Sequence, residues 1–332
     1  MAVKVAINGL GRIGRATFKV VLDTPGLELA AVNDLVSTDN LAYLLKYDTV
    51  YGRYEKIVDH TGNGLVVGGR EYRVYNEKDP ATLPWGDLGV DVVFECTGVF
   101  TNRQGLEKHI QAGARHAILS APDKGKELDT VVHGVNEPGG GAKTFSCASC
   151  TTNCITPVVE VMGRRIGIKK AIMTTIHAYT STQAIVDVPA KKFRRGRAAA
   201  ANFVPTSTGA AIATTKALPQ YEGKFDGIAI RGPVPVGSLA DLVFVTEKAT
   251  TREEVNAIFS EEAQSDRYLG IMGVSDDEIV SSDIIKDPRA SIVDLTMTQV
   301  VDGDLVKVMS WYDNEWGYTN QMIREALAMM KR

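Results

Sequence analysis

Val3-Lys-Val-Ala-Ile-Asn-Gly9-Leu-Gly11-Arg-Ile-Gly14-Arg-Ala-Thr-Phe-Lys-Val-Val-Leu22 decides the fold of this chain. Val3–Ile7 reads as an apolar strand, the three glycines as a tight turn, and Arg12–Leu22 as a helix closed by Pro25-Gly26. Gly9, Gly11 and Gly14 permit close backbone approach of a pyrophosphate to a helix N-terminus, which Arg12 and Ile13 begin. The chain has 31 glycines, so the pattern carries weight only through its context. That context is a second strand, Leu27–Asn33, ending in Asp34. A carboxylate at that distance accepts hydrogen bonds from an adenosine ribose. A 2′-phosphate about 4 Å from it would meet repulsion of up to ~4 kcal/mol at an effective dielectric of ~20, which favours NAD over NADP.

Farther along, Val90–Glu95 and His116–Ser120 read as strands and Gly105–Ala112 as a helix, so strands and helices alternate as in a doubly wound parallel sheet. After residue 150 the texture changes. Lys169–Ala178, Gly227–Arg231, Ser238–Glu247, Ser291–Val301 and Leu305–Tyr312 read as longer strands, with Asp302-Gly303 as a hairpin turn, so antiparallel pairing is expected. Thr251 and Glu254 form a capping box ahead of a helix. A last helix runs from about 316 to 330. Residues 180–207 have no period and read as a long functional loop.

Cys150 lies in Ser146-Cys-Ala-Ser-Cys-Thr-Thr-Asn-Cys154, where an extended entry meets a helix start. The unpaired N–H groups and dipole at that junction favour a thiolate, which makes Cys150 a candidate nucleophile. His177, near the end of the strand at 171–177, is the candidate proton-transfer partner. The spacing of Cys96, Cys147, Cys150 and Cys154 matches no zinc or iron–sulfur pattern, so no metal is expected. Arg231 ends an apolar strand, and with the hydroxyls of residues 205–209 it makes a phosphate-binding set. Arg194-Arg195-Gly-Arg197 is the one dense basic cluster, yet it has no aromatic platform beside it, and the net charge is −3. Nucleic-acid binding is therefore not expected.

The 332 residues suggest two domains. No apolar run reaches the ~20 residues that span a bilayer. The N-terminus enters the glycine motif directly, leaving no room for a signal peptide, and four Cys make no disulfide framework; the cytoplasm is expected.

Taken together, these residues resemble the phosphorylating glyceraldehyde-3-phosphate dehydrogenase family nearly end to end. The resemblance rests on Ile7–Arg15, Asn33-Asp34, Leu44–Asp48, Cys96-Thr-Gly98, Ala148–Asn153, Thr208–Ala211 and Trp311–Tyr318. It implies a Rossmann-type NAD-binding domain at 1–149, joined by the C-terminal helix 315–332, and a catalytic α+β domain with a mostly antiparallel sheet at 150–314. It implies that Cys150 is the nucleophile and His177 its partner. Thr180, Arg195 and Arg231 would hold the phosphate of glyceraldehyde 3-phosphate, and Ser149, Thr151, Thr208 and Gly209 the attacking inorganic phosphate. Arg12 and Ile13 would line the pyrophosphate, Thr97 and Ser120 the adenosine and nicotinamide-ribose side, and Lys78 the adenine, with Asn314 and Tyr318 on the nicotinamide side. A homotetramer is the family expectation.

The chain departs from the family pattern at Cys147, Thr182, Ala190, Ile212 and Gly232-Pro-Val234. These changes spare the Cys–His pair and bear on the phosphate site, where a neutral Thr182 weakens the hold on Arg195 or Arg231. Erythrose-4-phosphate dehydrogenase, which hydrolyses its thioester with water, is the alternative enzyme. A redox-sensing or RNA-binding protein is the non-enzymatic one.

Overall fold

The computed structural model describes residues 2–331, which form two compact units. The first comprises the chain up to Val131, Glu137–Ala148 and the residues from Met322 onward. The second comprises Val132–Asn136 and Ser149–Gln321.

In the first unit, β1 (Val3–Asn8), α1 (Arg12–Asp23) and β2 (Leu27–Asn33) form the opening strand–helix–strand. Next come α2 (Thr38–Lys46), the two-residue strands β3 (Tyr47–Asp48) and β4 (Gly52–Arg53), and a run of β5 (Val58–Thr61), β6 (Gly64–Val67) and β7 (Arg70–Tyr75). The remainder is α3 (Trp85–Leu88), β8 (Val92–Glu95), α4 (Arg103–Gln111), β9 (His116–Leu119) and β10 (Thr144–Ser146). The eight-stranded sheet has the order β10-β9-β8-β1-β2-β7-β6-β5. Strands β10 to β7 in that order are parallel, while β6 and β5 turn back antiparallel.

The sequence reading did not extend to β5–β7, whose short strands carry little periodic signal. The chain leaves β1 toward β2 on one side and returns later to β8 on the other. The carboxyl ends of these three strands therefore flank the switch point where a doubly wound sheet opens a crevice. Register brings Asn8 opposite Asn33 on one side and Glu95 on the other.

Two of the glycines in the first turn are required by crowding within the protein. Gly9 has φ +93°, and a Cβ there would stand 2.8 Å from the Thr97 backbone. A Cβ on Gly14 would meet the Gly9 carbonyl oxygen at 1.8 Å.

The second unit begins with α5 (Cys150–Arg165), β11 (Ile168–Ala178), β12 (Val204–Ser207), α6 (Ala210–Ala217) and β13 (Phe225–Gly232). It continues through β14 (Ser238–Thr246), α7 (Arg252–Ala263), β15 (Met272–Ser275), β16 (Ser291–Val301) and β17 (Leu305–Tyr312); α8 (Trp316–Met329) opens in this unit, and its residues from Met322 belong to the first. The sheet order is β12-β13-β11-β14-β17-β16-β15. Four of its pairings are antiparallel. β11 with β13 and β15 with β16 are parallel, and the sheet is mostly antiparallel, as expected. β11 and β13 are joined through a long loop, β12 and α6, a crossover long enough to bring the chain back in the same direction.

Strict alternation of buried and half-buried residues along β14 shows one face on the core. Asp302 and Gly303 both have positive φ (50° and 76°), the twist a hairpin turn needs. Thr251 caps α7 through Glu254 N–H at 3.2 Å, as the capping box implies. The expected loop ends in structure, because Val204–Ser207 pairs antiparallel with β13 as an edge strand.

α5 is anchored by a charge cluster around the buried carboxylate of Glu160. Glu160 accepts from Arg164 Nε at 2.8 Å, Arg267 Nη1 at 2.9 Å and the Tyr268 hydroxyl at 2.6 Å. Arg267 also donates to the carbonyls of Gly134 and Val135, which accounts for the place of 132–136 in this unit.

Candidate active site

The catalytic candidates meet at the start of α5. Ala148 takes φ +56°, an unusual conformation for a residue with a Cβ, and such strain concentrates at functional turns. Ser149 is the N-cap, its Oγ accepting from Thr152 N–H at 3.1 Å and lying 2.8 Å from Thr152 Oγ1. Cys150 is the first helical residue. Its Sγ stands 3.3 Å from His177 Nε2, carried on β11. The parallel register of β11 and β13 sets Arg231 directly beside His177.

Arg231 determines the tautomer of that imidazole. Its Nη1 lies 2.6 Å from His177 Nδ1 and 2.9 Å from the Ala178 carbonyl. A guanidinium can only donate, so Nδ1 accepts and the ring proton sits on Nε2, facing the sulfur. Ala178 O also lies 2.7 Å from Nδ1, and it is the ready acceptor for an Nδ1 proton whenever Arg231 is drawn away.

Burial opposes the expected thiolate. Burial pushes the Cys150 thiol above its ordinary value, and it outweighs the Arg231 charge and the Thr151 backbone N–H, which act in the opposite direction. Burial and then Arg231 press His177 down to about 3, against the pull of the Ala178 carbonyl. Both shifts favour the uncharged pair, a thiol beside a neutral imidazole. The helix N-terminus is present, but desolvation is the stronger effect here.

The other residues of the expected set fall into distinct places. Thr151 is buried, its Oγ1 bonded to the Tyr312 hydroxyl at 2.8 Å. Thr180 Oγ1 contacts Thr182 Oγ1 at 2.9 Å, and Arg195 Nε donates to Thr206 Oγ1 at 3.1 Å. Thr208 Oγ1 accepts from Ala210 N–H, and Gly209 caps α6 with open space at its Cα. The charge of Arg195 reaches Arg231, and neither forms an ion pair with a carboxylate among the described residues. Two guanidiniums that repel each other without a counter-charge make an anion site. Asn314 Oδ1 accepts from Gly237 N–H at 3.1 Å and Ser238 Oγ at 2.9 Å, and Tyr318 is buried.

Tyr312 was missed as a site residue, having been read only as a strand end. Its hydroxyl joins Thr151 to Thr175, and its ring lies edge-on to His177 with centroids 6.0 Å apart.

In the first unit a cavity of about 360 Å³ lies at the strand ends, lined among others by Asn8, Gly9, Gly11, Asp34, Lys78 and Thr97. Asp34 is fixed there as an acceptor, with Oδ2 held by Leu10 N–H at 2.6 Å and Oδ1 by Val36 N–H at 2.9 Å. Gly11 has φ −66° and nothing within 4 Å of an added Cβ, so neither strain nor crowding within the protein requires glycine. The space it leaves fits a dinucleotide passing close to the backbone. Arg12 does not line the cavity; its guanidinium is bound to Asp48 at 2.6 Å. Ile13 occupies the first turn of α1, and Ser120 donates its N–H to the Glu95 carbonyl at 3.0 Å. No group of three or more His, Cys, Asp or Glu side chains could hold a metal among the described residues.

Residues 3–103 match the family model of the glyceraldehyde 3-phosphate dehydrogenase NAD binding domain, and residues 149–314 that of its C-terminal domain. Glyceraldehyde-3-phosphate dehydrogenase of Streptomyces coelicolor is 48% identical over 327 residues, 97% of each chain. The protein of that name from Thermotoga maritima is 49% identical over 332 residues, 99% of each chain. Glyceraldehyde-3-phosphate dehydrogenase 1 of Bacillus subtilis is 47% identical over 335 residues, covering 100% of this chain and 99% of its own.

Two outcomes follow from this geometry. Alkylation of Cys150 by iodoacetamide will accelerate only on the alkaline side of the ordinary thiol range, with no step near 6.5, the ordinary imidazole value. Arg231→Gln removes a charge that lowers the thiol, so the profile will move further alkaline; a move toward acid would refute the electrostatics. Gly11→Ala will weaken NAD binding about tenfold by overpacking the crevice while leaving the melting temperature nearly unchanged. Calorimetric titration and thermal unfolding measure the two effects separately.

Proposed function

This chain belongs to the glyceraldehyde-3-phosphate dehydrogenase family, and on that premise we propose how its residues perform the reaction. The protein is an NAD-dependent oxidoreductase of glycolysis that converts glyceraldehyde 3-phosphate and inorganic phosphate into 1,3-bisphosphoglycerate. The observation carrying the mechanism is the 3.3 Å contact of Cys150 Sγ with His177 Nε2, together with Arg231 on the other ring nitrogen.

Cys150 gives its proton to solvent water, the sulfur adds to the aldehyde carbon, and the resulting oxyanion takes a proton from water, giving a hemithioacetal. The Nε2 proton of His177 and the start of α5 favour the charged sulfur as it forms, and Arg231 adds its charge. Arg195 and Arg231, with Thr180 nearby in sequence, hold the substrate phosphate. That anion draws Arg231 off Nδ1, and by exchange with solvent the ring then carries its one proton on Nδ1 instead of Nε2, donated as a hydrogen bond to Ala178 O at 2.7 Å. Nε2 is left with a free lone pair and takes the hemithioacetal hydroxyl proton as the carbon is oxidised to a thioester. NAD would be held by Gly9, Gly11, Gly14, Asp34, Lys78, Thr97 and Ser120, and would supply the hydride acceptor.

Inorganic phosphate, received by Ser149, Thr151, Thr208 and Gly209, attacks the thioester carbon. The carbon–sulfur bond breaks, the thiolate leaves, and an acyl phosphate forms.

The proposal extends to assembly and location. Ile185, Phe193 and Phe203, on the segment between β11 and β13, are 85%, 88% and 72% exposed in the single chain. Such surface supports contact with further copies, and a homotetramer is proposed. The four cysteines are free and no helix among the described residues is long and apolar enough to cross a membrane, which supports a cytoplasmic place.

The deciding assay is NADH formation from glyceraldehyde 3-phosphate with and without inorganic phosphate. A burst of about one NADH per subunit without phosphate, and steady turnover with it, is expected. Steady turnover without phosphate, faster on erythrose 4-phosphate, would assign the hydrolytic reaction instead.

A further inference from the structure

Glu95 is a buried carboxylate that the reaction leaves without a role. It ends β8 with no exposure to solvent, and its four donors are all neutral. Oε1 accepts from Thr97 N–H at 2.7 Å and from the Thr97 hydroxyl. Oε2 accepts from Asn8 Nδ2 at 2.6 Å and faces His109 Nε2 at 3.1 Å. Trp85 Nε1 donates to His109 Nδ1 at 3.1 Å. An indole N–H can only donate, so His109 carries its one proton on Nε2 and gives it to Glu95. No cation balances the charge, and a buried charge without one is poor as a stability device.

What the charge commands is the cavity floor. Thr97 Oγ1, bonded to Glu95, in turn accepts from Val99 N–H at 3.0 Å, and the Thr97 backbone abuts Gly9. Asn8 Oδ1 accepts from Asn33 Nδ2 at 2.7 Å, and Asn33 holds both backbone groups of Glu77. Asn8, Asn33, Glu77, Thr97 and Val99 all line the cavity. We infer that Glu95 is a positioning residue of the dinucleotide site, shaping it from beneath through Thr97 and Asn8, and that Trp85 keeps His109 in the donor tautomer this requires. The inference rests on reading the cavity as the NAD site.

Glu95→Gln tests the idea because an amide offers one acceptor oxygen. Its NH2 must face donors on one side, either Thr97 or the Asn8–His109 pair, and Trp85 prevents His109 from switching to accept. We expect the NAD dissociation constant to rise about tenfold, with kcat at saturating NAD within about twofold of wild type. Trp85→Phe releases the tautomer, so the double variant Glu95→Gln/Trp85→Phe should bind NAD several-fold more tightly than Glu95→Gln alone, even while its melting temperature falls. A merely structural role gives the opposite, since two core lesions compound. If Glu95→Gln does not fold, Thr97→Val, which removes the hydroxyl at the Glu95 contact, should raise the constant about fivefold.

Unchanged NAD affinity in Glu95→Gln, or in Thr97→Val, overturns the inference; so does a double variant weaker than the single. Asp34→Asn separates this from failure of the underlying reading. If Asp34→Asn is silent too, the cavity is not the NAD site; if it alone weakens binding, Glu95 is not a positioning residue.

Discussion

The chemistry depends on a sulfur and an imidazole nitrogen held 3.3 Å apart by two different kinds of secondary structure. Cys150 is placed by the start of a sixteen-residue helix, whose far end is tied down by the Glu160 cluster. His177 is placed by an interior strand with neighbours on both sides. A strand inside a sheet cannot slide by one residue without turning every side chain to the other face. The register that fixes His177 also fixes Arg231, its neighbour on β13. Position and charge of the pair therefore come from one constraint.

Burial makes this arrangement stringent. A dry site strengthens every interaction within it, but it holds a thiol protonated and an imidazole neutral. Burial thus works against a resting thiolate. The positive guanidinium, the Nε2 proton and the helix start are aligned toward the place where negative charge will form, which is what preorganised electrostatic catalysis requires. In the proposed mechanism Arg231 serves both the imidazole and the substrate phosphate, so substrate binding and base activation become one event. An aldehyde without a phosphate would leave the base capped.

Much of this was legible in the amino-acid order, and the reasons are local. The turn at Gly9–Gly14 and the junction at Cys150 each occupy a few consecutive residues, and their short-range patterns survive folding. Asp34 was readable as an acceptor because it ends a strand in a fixed frame. What could not be read depends on contacts across long separations. The parallel pairing of β11 with β13 brings together His177 and Arg231, 54 positions apart, and no local pattern encodes it. The raised thiol reflects desolvation by packing around α5, whereas the sequence shows only the favourable helix start. Tyr312 looked like one more apolar strand residue until its hydroxyl was found between two threonines.

The most direct test of the central claim is to trap the acyl-enzyme. Incubation with glyceraldehyde 3-phosphate and NAD in phosphate-free buffer, followed by acid quench and peptide mass spectrometry, should find the substrate acyl group on Cys150 alone. A brief pulse of inorganic phosphate before the quench should remove it. NADH formed with no adduct on Cys150, or with the acyl group on Cys147 or Cys154, would contradict the account.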